Sequence, residues 1–207
     1  MPDPLSTMTA TVHHDLDVHL TVAEDAVRQH IDPREARTRV DTFLIETCRH
    51  ASAVCEVLLP AARSTLPDGK IRVRAYVMQC RRLEKAACLT KRRLYGELHS
   101  AHMPWTAVWS MLRAEYDRLH EIERALVDDL AAGVTPEASR RLGLRVHDAA
   151  ASGPTRPHPH SRHTGHLAHL SRQVWARADR IWDTAEGRIV AGPGKKFTAP
   201  RRKTSSP

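Results

Sequence analysis

The sequence lacks the features that mark several large classes of protein. Its 207 residues contain no apolar run of about 18 residues, and residues 1–20 lack a basic segment followed by an apolar one. We therefore predict neither a membrane-spanning helix nor an export signal, and we expect a cytoplasmic protein. GxSxG, GxGxxG, P-loop and HExxH motifs are also missing. No residue set favours an enzyme or an organic cofactor.

The four cysteines give no sign of a disulfide framework. Cys48 and Cys55 are seven residues apart, Cys80 and Cys88 are eight apart, and no CxxC pair occurs. Seven residues of helix span about 10 Å, which is too far for a local disulfide bond. We expect free thiols in a reducing compartment.

Most of the net charge of +8 comes from the C-terminal end of the chain. The segment after Gly187 has no acidic residue, and its six cations leave +2 for everything before it. We predict that residues 188–207 form a disordered basic tail, and that nucleic acid is not a partner apart from weak contacts with this tail. The six cations are Arg188, Lys195, Lys196, Arg201, Arg202 and Lys203.

Apolar residues recur with helical period, and no segment shows sustained strand alternation. Asp32 and Pro33 suit the N-cap and first position of a helix, as do Thr135 and Pro136. LPDG and HMPW interrupt the helical pattern at residues 66–69 and 102–105. The predicted helices cover 16–30, 33–64, 71–101, 104–132, a short segment from 136, and 165–186, with residues 1–15 disordered.

Short connections between long amphipathic helices favour antiparallel neighbours. We therefore predict an all-α protein, in which residues 16–187 form an up-down four-helix bundle. The helix at 165–186 is expected to fold onto that bundle as an additional C-terminal element.

Five histidines lie close together in PHPHSRHTGHLAHL, residues 157–170. Prolines keep the first part of this segment extended, so only His166 and His169 share a helix face. Two ligands do not complete a tetrahedral metal site. The segment is either a partial metal site or a polar strap that fastens the last helix. Its histidines are His158, His160, His163, His166 and His169.

Two predicted helices each direct a histidine and a carboxylate towards the interior of the bundle. Glu46 and His50 belong to the second helix, and His120 and Glu123 to the fourth. A buried carboxylate is costly unless it is paired or coordinated. Facing His and Glu side chains therefore indicate either a metal site of the kind that bundles build, or two structural His–Glu ion pairs.

The segments FLIETCRHASAVCEVLLPAAR and YDRLHEIERALVDDL resemble the hemerythrin-like (HHE cation-binding) family, in a divergent form associated with actinobacteria. RLYGELH, PTRPHPH, HTG and VWARADRIWDTAEGR extend the similarity over about residues 40–190. The resemblance implies a four-helix bundle around a non-haem di-iron centre that binds O2 or senses oxygen, reactive oxygen or nitric oxide.

The ligand set that the resemblance implies is incomplete. Val54 stands where the family has a bridging Glu, and residues 73–98 contain no histidine. His50, His120 and Glu123 match by position, Glu46 could substitute, and His19 could serve from the first helix. Iron is thus expected as a mononuclear or dinuclear ion. The alternative is a metal-free bundle that acts as an interaction or regulatory module through its C-terminal helix and basic tail.

Overall fold

The computed structural model of the protein describes residues 3–96, 102–158 and 174–179, and within these ranges it is all-helical, with no strand. The prediction of an all-α fold is confirmed. None of the helices in these ranges is long and apolar enough to cross a membrane. The helices are α1 (Pro4–Arg28), α2 (Pro33–Thr65), α3 (Gly69–Leu94), α4 (Trp105–Gly133) and α5 (Pro136–Ser152), and residues 174–179 are helical as well.

The start of α1 corrects the sequence interpretation. The helix begins at Pro4 and not at 16, so residues 4–15 are not a disordered N-terminus. The carboxylate of Asp3 accepts the backbone N–H groups of Leu5 and Ser6, at 2.8 and 3.1 Å. An acidic N-cap followed by proline is the same signal that Asp32 and Pro33 give for α2, which starts where predicted.

The other boundaries differ in smaller ways. The helix α3 ends at Leu94, seven residues before the predicted end, and Gly96 follows with a φ of 77°. Such a left-handed residue is typical of a helix terminus. Residues 136 onward form a helix of 17 residues, longer than expected.

All five helices share one core. α2 packs against each of the other four, α1 packs against α2, α4 and α5, and α3 packs against α2 and α4. The sides of α1 to α4 that face one another are apolar, because their buried residues recur every three or four positions. The largest fully buried side chains are Tyr76, Tyr116, Phe43, Leu5, Leu20, Leu44, Leu58, Leu59, Leu112, Leu119, Leu126 and Leu130.

The turn between α2 and α3 brings two backbones into direct contact. A Cβ atom on Gly69 would lie 2.1 Å from the carbonyl oxygen of Ala62, far inside the van der Waals limit. Only glycine fits there without movement of the backbone. The predicted turn at 66–69 is thus confirmed, and it sets the close approach of α3 to α2.

Residues 174–179 are attached to the segment after α5 through one carboxylate. Asp179 Oδ2 accepts the backbone N–H groups of Thr155 and Arg156, both at 3.0 Å. His158 Nε2 lies 3.2 Å from the same carboxylate, and its ring stacks on Trp175 at 4.3 Å. His158 is therefore part of a polar strap, whereas the other four histidines of that segment, the rest of the predicted helix 165–186 and the tail lie outside the described residues.

Candidate metal centre

Three buried side chains from three different helices converge in the core. His13 Nε2 of α1 lies 3.1 Å from Glu123 Oε1 of α4, and His50 Nε2 of α2 lies 2.7 Å from the same oxygen. The side chain of Glu123 is fully buried, and those of His13 and His50 are 8% and 7% exposed. The donor atoms of all three lie within 4.8 Å of one another.

Helical periodicity directs each of the three side chains inward. His13 continues the buried row of α1 that includes Leu5, Thr9, Leu16 and Leu20. His50 lies on the buried face of α2, and Glu123 lies between Leu119 and Leu126 on the buried face of α4. Each polar residue thus occupies a position that the repeat would otherwise give to an apolar side chain.

The helix α3 contributes a phenol to the same cluster. The hydroxyl group of Tyr76, on α3, donates a hydrogen bond of 3.2 Å to Glu123 Oε2. The two oxygens of Glu123 therefore contact side chains from α1, α2 and α3 at once. This arrangement fixes the orientation of the carboxylate.

His120 forms one wall of the site. Its ring stacks on that of His13, with centroids 3.8 Å apart and planes 4° from parallel, and it lies 6.5 Å from the ring of His50. On its other side it contacts Tyr116 at 4.0 Å, and the Tyr116 hydroxyl donates to Asp17 Oδ1. These contacts join α4 to α1 at His13 and, one turn later, at Asp17.

The protonation states follow from burial and from the contacts. Burial alone would raise the pKa of Glu123, but the charge of His50 and hydrogen bonds from His13 and His50 lower it below its usual value. Burial opposes charge on His50 as well, yet Glu123 raises the pKa of that imidazole above 6.5. Without a metal ion, His50 and Glu123 therefore form a buried ion pair.

The neighbouring aromatic groups remain uncharged. Burial first, and the neighbouring His13 second, lower the pKa of His120 to about 3, so the His120 ring is neutral near pH 7. Burial and the charge of Glu123 raise the pKa of Tyr76 far above that of free tyrosine, so it stays a phenol and a hydrogen-bond donor.

The spacing of the donor atoms fits a single ion. Bonds of about 2.1 Å from one metal ion to nitrogen and oxygen put adjacent ligand atoms about 3.0 to 3.5 Å apart. The observed separations of 2.7 and 3.1 Å are close to this range. Two imidazoles and one carboxylate are the donors that zinc and ferrous sites use. This donor set could therefore hold one such ion.

The structure brings together only part of the predicted ligand set. His50 and Glu123 are in contact, and His120 adjoins them without joining the converging group. Glu46 is not a ligand in this arrangement: its side chain is 37% exposed and pairs with Arg49 at 3.1 Å, because it projects beside the buried face of α2 and not from it.

The histidine of α1 that joins the converging group is His13, whereas His19 is not part of that group. His13 was missed because residues 1–15 were expected to be disordered. The Asp3–Pro4 start signal and the apolar spacing of Leu5, Leu16 and Leu20 would have shown that His13 faces the core.

No family model, curated protein or solved structure matches this chain.

Proposed function

We propose that the protein is a hemerythrin-like helical bundle that binds one non-haem metal ion, iron in the first place, through His13, His50 and Glu123. The observation that carries this proposal is the convergence of three buried donor atoms within 4.8 Å from α1, α2 and α4. Two histidines and one carboxylate with open coordination positions are typical of mononuclear ferrous sites.

The packing of the helices supports the hemerythrin-like part of the proposal. α1 contacts α2 and α4, and α3 contacts the same two helices, so the four can close a ring around the centre, with α5 outside against α1 and α2. The four helices of the ring each contribute a side chain to the centre. This is the arrangement that the resemblance around His50 and His120 leads one to expect.

A single ion is proposed because the second set of ligands is missing from the described residues. Val54 is an apolar core residue at the position of the family's bridging Glu, and α3 offers Tyr76 in place of a histidine. Three protein ligands leave positions open for a small exogenous molecule. Sensing of oxygen or of a related small molecule is therefore the use that we propose for the site.

The residues around the three ligands have supporting roles in this proposal. Tyr76 holds the second oxygen of Glu123, which orients the first oxygen between the two imidazoles. His120 packs against His13 and is neutral, so it adds no positive charge that would repel a cation. Such outer contacts commonly affect metal affinity about tenfold or more.

The test is metal uptake by matched variants. The purified chain is stripped with a chelator, incubated anaerobically with Fe(II) or, separately, Zn(II), and desalted, and bound metal is measured by elemental analysis. We expect about one ion per chain. His13→Ala, His50→Ala and Glu123→Gln should each reduce uptake about tenfold or more.

Two control variants separate the site from general effects. His14 is the exposed neighbour of His13 on α1, and Glu46 pairs with Arg49, so His14→Ala and Glu46→Gln should bind as the wild type does. Two tightly held irons per chain would overturn the mononuclear proposal. Uptake by His50→Ala equal to that of the wild type would refute the site itself.

A metal-free role is the second candidate, and one observation favours it. Both oxygens of Glu123 already contact His13, His50 and Tyr76, so the buried charge is compensated without an ion. In that case the cluster is a structural network, and the chain is an interaction or regulatory module. Metal uptake by the wild type as low as that of His50→Ala would select this candidate.

A further inference from the structure

The charges of the protein are separated by helix. α3 contains nine basic residues and one acidic residue, Glu84, whereas α1 has four acidic residues and one arginine, and α4 has six and three. The near-neutral body inferred from the sequence therefore conceals one strongly basic helix, α3, and two acidic ones, of which α4 packs against it. The basic residues of α3 are Lys70, Arg72, Arg74, Arg81, Arg82, Lys85, Lys91, Arg92 and Arg93.

Five of these cations share the outward side of α3, and all five are exposed. The opposite side of the helix, which includes Val73, Tyr76, Cys80 and Leu83, is buried in the core. The five span about 22 Å along the helix axis, from the first turn to the fifth. We call Lys70, Arg74, Arg81, Arg82 and Lys85 the basic face.

The basic face is not neutralised by the protein as far as the structure describes it. None of its five side chains forms an ion pair with another residue of the described ranges. Arg72, on the side towards α4, shows the contrast, because Asp68 and Asp129 both pair with it. The charge of the basic face is therefore available to an external polyanion.

We propose that the basic face of α3 binds the phosphate backbone of nucleic acid, with double-stranded DNA as its partner. Duplex DNA presents one negative charge about every 1.7 Å of its axis, so a row of about 22 Å meets many phosphates. Three of the five residues are arginines, whose planar donors suit phosphate oxygens. This surface goes beyond the metal site and does not depend on it.

A membrane surface fits the basic face less well. Interfacial helices insert an apolar face into the lipid, but the apolar side of α3 is used in the protein core. On the exposed side only Ile71 and Met78 are large and apolar, at 72% and 53% exposed, and no aromatic residue accompanies the five cations. The basic face therefore offers positive charge but too little apolar surface to insert into a lipid membrane.

The test compares two triple variants of the full chain that lose the same charge. Arg74→Ala/Arg81→Ala/Arg82→Ala removes three cations of the basic face. Arg140→Ala/Arg141→Ala/Arg145→Ala removes three exposed arginines of α5 and serves as the control. Binding of a labelled mixed-sequence duplex of about 20 base pairs is followed by fluorescence anisotropy over a series of salt concentrations. Circular dichroism verifies that both variants keep the wild-type helix content.

We expect wild type and control to bind with a strong salt dependence, and the basic-face variant to lose about tenfold or more in affinity. Its slope of log K against log salt should be shallower by about 2.7, which corresponds to three lost phosphate contacts. Equal weakening of both variants would show that net charge, and not the basic face, governs binding, and no weakening in either would assign the binding to cations elsewhere in the chain. Each of these results would overturn the proposal. Binding to phosphatidylserine vesicles but not to the duplex would also overturn it, in favour of a membrane.

Discussion

At the scale of single residues, Glu123 is the group on which the core depends. Its carboxylate is fully buried and still ionised, because two histidines and a phenol surround its oxygens. A charge in such a place costs several kcal/mol unless its partners compensate it. The partners of Glu123 should therefore be visible in stability measurements as well as in metal uptake.

Tyr76→Phe should lower the free energy of unfolding of the metal-free protein by about 1.5 to 3 kcal/mol, because it removes a donor to a buried charge. Tyr116→Phe is the matched control. Its hydroxyl donates to Asp17, an exposed residue, so water can replace the lost bond and the cost should be smaller. Urea unfolding measures both, and equal losses would contradict this account.

The stability of the metal-free protein should fall on both sides of neutral pH. His120 has a folded pKa of about 3 against 6.5 when unfolded, so between these values the unfolded chain binds the extra proton and acid destabilises the fold. The stabilisation from His50 has the opposite sign: it is present below pH 6.5 and is lost as the pH rises through its raised folded pKa.

His120→Phe separates the contribution of His120 to the loss of stability in acid from the other contributions, since phenylalanine can stack on His13 without titrating. Glu123 stabilises the fold above its usual pKa of 4.5 and loses that contribution only in stronger acid. Between about pH 5 and 6.5, wild type should lose up to about 1.4 kcal/mol per pH unit, and His120→Phe should lose distinctly less. Urea titrations at several pH values make the comparison, and identical slopes would refute the role of His120.

At the scale of elements, the contact between α2 and α3 is the most sharply defined. Gly69→Ala would place a Cβ atom 2.1 Å from a backbone oxygen of Ala62, so the two helices must separate. We expect a loss of about 3 kcal/mol or more in the free energy of unfolding, comparable to severe steric substitutions. Gly133→Ala is the control, because its Cβ would make an ordinary contact of 3.5 Å with Thr65. A loss of similar size in both would contradict this.

The elements were largely predictable, and the centre only in part. Periodicity and the Asp32–Pro33 and Thr135–Pro136 signals located α2 and α5 and placed His50 and Glu123 on buried faces. Nothing in one sequence gives the rotation and stagger of one helix against another, so Tyr76 was not recognised as a partner of Glu123. His13 was overlooked for a different reason. The signals that place it on a buried helix face, the Asp3–Pro4 start and the apolar spacing of α1, were present in the sequence.

α5 has a specific role in holding α1. The hydroxyl of Ser139 donates to Asp3 at 2.6 Å, and its oxygen accepts the N–H of Leu5. Ser139 is completely buried at this junction. The N-terminal turn of α1, and through it the position of His13, is therefore fixed by a helix more than a hundred residues away.

At the scale of the whole molecule, the centre connects helices that are distant in the chain. A ligand that binds only the folded state raises its stability by RT ln(1 + [L]/Kd), about 2.7 kcal/mol at one hundred times Kd. Saturating Fe(II) should therefore raise the melting temperature of the wild type and of His14→Ala, and leave that of His13→Ala unchanged. Differential scanning calorimetry under anaerobic conditions provides the measurement. A shift in His13→Ala equal to that of the wild type would locate the ion elsewhere.

The separation of 110 residues between His13 and Glu123 also has a consequence for biosynthesis. A ribosome adds about 5 to 20 residues per second, so Glu123 is made about 5 to 20 s after His13. During that interval His13 and His50 have no carboxylate to bind, and Tyr76 has no acceptor for its hydroxyl. The buried charge and its three partners therefore come together only once α4 has left the ribosome, and the growing chain must keep the apolar faces of α1 to α3 from other contacts until then.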